Sequence, residues 1–95
     1  MPQYTIGHEV FDTAMPEKSI TVYATDWCSD CRQAKRFLDQ HNIPYRWVNI
    51  DQDKEAEQLV IKTNQGMRSV PTIFCSDGTI LVEPSDQQLA QQFCP

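Results

Sequence analysis

Residues 19–31 read SITVYATDWCSDC, and the fold turns on how they divide. Residues 19–24 are β-branched and aromatic, the composition of a buried strand. A helix is expected after Cys28. Its apolar positions Ala34, Phe37, Leu38 and His41 fall at i, i+3, i+4 and i+7, while Arg32, Gln33, Lys35, Arg36 and Asp39 fill the other side. The strand-to-helix junction therefore carries Trp27-Cys28-Ser29-Asp30-Cys31.

Outward from that junction the pattern continues. Asn42 ends the helix and Pro44 prevents its return. Residues 45–50, YRWVNI, read as a second strand. Asp53 looks like an N-cap, with Ala56, Leu59, Val60 and Thr63 as the inner face of a second helix and Gly66 just past its end. Residues 72–75 and 79–82 are two apolar runs around Ser76-Asp77-Gly78, a hairpin signal. Ser85 caps a last helix with Gln88 as its capping-box partner, and Leu89, Ala90 and Phe93 face inward. The order β-α-β-α-β-β-α implies an α/β fold: a four-stranded mixed sheet, parallel across the first helix and antiparallel at the hairpin, with helices on both faces. Residues 1–18 show weak periodicity and are set apart as an N-terminal extension, either a short strand or hairpin on the domain or a disordered tail; the domain proper spans residues 19–95.

The junction has a chemical purpose. The first turn of a helix has unpaired N–H groups and the positive end of the macrodipole, so a negative sulfur placed there is stabilised. Two intervening residues bring both sulfurs within bonding reach across the turn. Cys28, at the loop end, is the expected nucleophile, and Cys31, a turn inside, the expected resolving thiol; together they would form the redox disulfide. Zinc would need four ligands, and no second C-x-x-C or H-x-x-x-H accompanies this one; Cys75, Cys94, His8 and His41 are scattered. Inert core cysteines fit poorly with a strand-end position between polar residues. Cys75 reads as a packed thiol, Cys94 as a free one near the C-terminus, and Trp47 as sheet packing.

Composition narrows the partners. The 95 residues suffice for one compact domain, with 40% apolar and 22% charged residues. A net charge of −5, spread along the chain, argues against nucleic acid and anionic membranes as partners. No apolar run has the length of a bilayer span, and no secretory signal is visible. Four cysteines with two in C-x-x-C fit a reducing cytoplasm.

TVYATDWCSDC (21–31), NIDQDKEAE (49–57), NQGMRSVPTI (64–73) and DGTILVEPSDQQL (77–89) together resemble the glutaredoxins of the thioredoxin superfamily, in particular the mycoredoxin-like bacterial branch. The resemblance implies a three-layer thioredoxin-like fold. It implies Pro71 as a cis-proline facing the cysteines and Val70 as the backbone partner of a bound thiol. It implies no bound cofactor, glutathione or mycothiol as co-substrate, disulfide-containing client proteins, and a monomer. Trp27 would wall the substrate groove, Arg68 would either bind a thiol carboxylate or stay solvated, and Asp86 matches an acidic position that pairs with the glutathione amino group. The chain also departs from the family. Thr25 stands where many glutaredoxins have Lys, Ser29-Asp30 replace Pro-Tyr, and Val82-Glu83-Pro84 replace a Gly-Gly segment. Two other functions compete: an iron–sulfur carrier using Cys28 of two chains and two thiols, and a binding module with idle cysteines.

Overall fold

The computed structural model describes residues 20–94. The expected extension over residues 1–18, with His8, and the first expected strand residue, Ser19, lie outside the described residues.

β1 (Ile20–Ala24), α1 (Ser29–Gln40), β2 (Arg46–Asn49), α2 (Lys54–Thr63), β3 (Thr72–Cys75), β4 (Ile80–Val82) and α3 (Asp86–Phe93) follow in the expected order. They form one four-stranded sheet, β2-β1-β3-β4. β1 runs parallel to β2 and antiparallel to β3, so Val22 lies between Trp47 and Ile73. β4 closes the sheet antiparallel to β3.

The two-residue period of β1 distributes the core. Ile20, Val22 and Ala24 point to one face, where they meet Phe37 and Leu38 of α1 and Leu89 of α3. Tyr23 points to the other, packing with Val48, Ile50 and, from α2, Ala56 and Val60. Each fully buried Leu, Ile or Val contributes about 1.5–3 kcal/mol, so both faces of the sheet hold helices by apolar contact. The caps lock the helix starts. The Asp53 carboxylate accepts the Ala56 N–H at 3.0 Å, and Ser85 and Gln88 form the reciprocal capping box. At the hairpin, Gly78 takes φ 93 and its N–H donates to the Cys75 carbonyl, the conformation that the Asp-Gly pair supplies.

Three expectations are corrected. α1 stops at Gln40, one residue short of including His41 on its inner face; His41 is the exposed C-cap and its ring rests on Phe37 at 4.2 Å. Leu59 is 37% exposed, because only Ala56 and Val60 of α2 reach the sheet core. β2 spans Arg46–Asn49, a residue short at each end, and β4 begins at Ile80, a residue late. Cys75 is half-buried and packs against the core cluster, as expected. Trp47 is buried as expected, with the Lys35 ammonium 5.0 Å from its ring centre.

Candidate redox site

α1 begins at the C-terminal end of β1, and Cys28 is its N-cap, with extended backbone (φ −85, ψ 123). A Ser, Thr or Asp usually fills this position, its oxygen accepting an orphan N–H of the first turn. Here the sulfur does so: Cys28 Sγ accepts the Cys31 N–H at 3.2 Å. The same sulfur donates to the Val70 carbonyl at 3.8 Å. Cys28 is half-buried, whereas Cys31 is wholly buried under the helix; both are free thiols.

Burial, then the neighbouring Cys28 sulfur, push the Cys31 thiol up to about 12. The Thr25 backbone N–H opposes this; the Thr25 hydroxyl, itself buried without a well-formed hydrogen bond, opposes it least. Burial and the Asp77 carboxylate likewise raise Cys75 to about 11. Both thiols keep their protons in the folded chain beyond the ordinary 9.0, where the unfolded chain releases them. The unfolded state then binds fewer protons, so this contribution to stability is intact below pH 9 and is lost as the pH rises towards 11 and 12. Urea midpoints are expected to fall as the pH rises from about 9 to about 11, and Cys75→Ala to lose part of that fall; an equal slope in the variant would contradict the assignment.

The Val70–Pro71 peptide is cis, and Pro71 is fully buried. The segment that carries them is held from both sides. Thr72 Oγ1 donates to the Ser69 carbonyl at 2.8 Å and accepts from the Asn64 amide at 3.1 Å, while the Glu83 N–H donates to the Pro71 carbonyl at 2.8 Å. Glu83 adopts φ 50, in the left-handed region that favours glycine. It occupies the segment where Val82-Glu83-Pro84 stand in place of Gly-Gly, so the chain keeps a glycine-like turn without the glycine.

Beside the cysteines lies a network that the sequence did not reveal. Trp27, 65% exposed, donates its indole N–H to one oxygen of Asp51 at 2.8 Å. The Arg68 guanidinium binds the other Asp51 oxygen, and its Nε–H donates to Glu57 at 2.6 Å. Two carboxylates thus engage Arg68, through its Nε and one terminal nitrogen. Arg68 holds the Asp51 carboxyl below the usual carboxylate range, with the Trp27 indole adding to the effect. Asn49 accepts the Asp51 N–H at 2.9 Å and donates to Asp26 at 3.2 Å. Loops after β1 and β2 and before β3 are thereby tied together around Cys28. Asp86, exposed at the start of α3, accepts from Gln33 of α1 at 3.1 Å. The site therefore unites Cys28, Cys31 and Val70 directly, with the cis-linked Pro71 next to Val70 in the chain, joins Trp27 to Arg68 through Asp51, and places Asp86 against α1.

The register contained a signal for Asp51. Ala24 pairs with Asn49 in the parallel β1–β2 ladder, so the residues just beyond each strand end must meet.

Residues 20–80 match the family model described as Glutaredoxin. Mycoredoxin 1 of Corynebacterium glutamicum is 44% identical over 66 residues, covering 70% of this chain and 81% of the relative. A putative glutaredoxin of Mycobacterium tuberculosis is 35% identical over 71 residues, covering 75% and 84%. Among solved structures, a point mutant of the thioredoxin-like protein BC3987 superposes with a TM-score of 0.67 at 28% identity, covering 76% of this chain and 90% of the other. No described helix is long and apolar enough to cross a membrane. With a paired-cysteine helix start on a thioredoxin-like sheet and a family model spanning most of that sheet, this chain belongs to the glutaredoxin family of thiol–disulfide oxidoreductases.

Proposed function

We propose that this protein reduces protein disulfides and mixed disulfides in the cytoplasm as a monomer, with a low-molecular-weight thiol, glutathione or mycothiol, restoring its own dithiol. The observation that carries the reading is Cys28 capping α1 while its sulfur reaches the Val70 carbonyl. A nucleophile there has helix N–H groups on one side and, on the other, the Val70 carbonyl of the segment leading into β3, beside which a substrate can lie.

Cys28, as thiolate, attacks one sulfur of the client disulfide. That bond breaks, a mixed disulfide forms on Cys28, and the client's other sulfur departs as a thiol after taking up a proton. Cys31 gives up its proton and attacks Cys28, forming the Cys28–Cys31 disulfide and releasing the client's second thiol. Two electrons have passed to the client. Two molecules of the small thiol return them, becoming a disulfide. Burial and the neighbouring Cys28 sulfur hold the proton on Cys31 in the resting dithiol, and converting Cys28 to a mixed disulfide removes the part of that hold that Cys28 supplies. Val70, Pro71 and Trp27 line the groove in this reading, with Arg68 and Asp86 at its rim.

Reduction of the oxidised protein by glutathione, by mycothiol, and by thioredoxin reductase with NADPH, measured side by side, tests the proposal. One small thiol is expected to support multiple turnovers on a protein disulfide. Turnover driven by the reductase alone would overturn the choice of reductant.

A further inference from the structure

Arg68 is the basic side chain that binds the network around Cys28, and both of its engaged edges are filled by carboxylates. A guanidinium carries one positive charge, so Arg68 with Asp51 and Glu57 forms a unit of net charge −1 beside the nucleophile. The two acids are not equivalent. Glu57 lies on α2, whereas Asp51 also accepts the indole N–H of Trp27, the residue next to Cys28. A ligand carboxylate that sought Arg68 would have to displace Asp51, and so also release Trp27, or add a third negative charge to the unit.

We propose that Asp51 determines the charge class of the thiol this site exchanges: it withholds Arg68 from carboxylate-bearing thiols and leaves the groove selective for uncharged ones. The inference rests on the reading that the leaving thiol lies between Trp27 and Arg68. Asp51 is a specificity-determining and positioning residue, and the sulfur chemistry stays with the cysteines. Its side chain is 37% exposed and that of Arg68 33%, so solvent screens the pair and the discrimination is modest.

Single-turnover oxidation of the reduced protein by two disulfides of similar size provides the test. Bis(2-hydroxyethyl) disulfide is neutral and 3,3′-dithiodipropionate carries two negative charges. In each reaction the Cys28–Cys31 dithiol loses two electrons and two protons, and the disulfide becomes two thiols. Asp51→Asn is expected to raise the ratio of dianion to neutral rate about fivefold, with the gain disappearing in about 1 M salt. Adding Arg68→Gln to Asp51→Asn is expected to remove the gain. If Asp51→Asn and Asp51→Ala lower both rates in proportion and leave the ratio unchanged, Asp51 is only a structural tether and the proposal falls. If neither disulfide oxidises the wild-type dithiol, the redox reading itself fails, and this inference with it.

Discussion

Cys28→Ser is expected to reduce disulfide exchange by ~10³-fold or more, to the rate of unassisted thiols, because it removes the attacking sulfur itself. Cys31→Ser is expected to behave differently. Attack by Cys28 still occurs, but the intramolecular release is lost, a step that proximity across one helical turn makes fast. Covalent complexes with protein clients should accumulate on Cys28 and show on non-reducing gels. Activity on small mixed disulfides should survive in part, since an external thiol can attack the same sulfur. If Cys28→Ser captured more protein than Cys31→Ser, the two roles would be reversed. Wild-type activity in both variants would remove the motif from the mechanism altogether.

The second large effect concerns stability. Leu89 is the single fully buried residue of α3, and it packs in the cluster with Phe37 and Leu38 of α1 and Val22 and Ile73 of the sheet. Leu89→Ala is expected to cost ~2–5 kcal/mol out of a total of about 5–15 kcal/mol for a domain of this kind. The urea midpoint should fall by about 1–3 M, while Gln91→Ala on the exposed side of the helix leaves it in place. A Leu89→Ala midpoint matching the wild type would mean that α3 is held by its capping box and half-buried Ala90 and Phe93 instead.

Much of this architecture was readable residue by residue because its determinants are local. Asp53 and Ser85 cap their helices through amides three residues on, and Asp77-Gly78 closes a hairpin between adjacent runs. Cys28 and Cys31 face each other because one helical turn separates them. The unread part depends on distance along the chain. Arg68 meets Glu57 and Asp51 across 11 and 17 positions, and Trp27 meets Asp51 across 24. No periodicity links such residues; only strand pairing and the placement of α2 bring them together. Arg68 consequently read as a lone cation, with no sign in its own neighbourhood of the two carboxylates that engage it. His41 and Leu59 failed for the opposite reason. Both satisfy the helical period, but α1 ends before one and the sheet core stops short of the other. Glu83 is a third kind of case, since its positive φ is imposed by the join between β4 and α3 and leaves no mark in its own residue type.

Cys28 holds a post for which a helix would choose serine: thiols are weaker partners for backbone amides than hydroxyls are. The residue that gives the chain its chemistry is therefore a mediocre cap, and the inert serine variant should be at least as robust. Any laboratory evolution that rewards heat tolerance or expression alone will drift towards dead protein at this position. Only a screen that demands turnover will keep the sulfur.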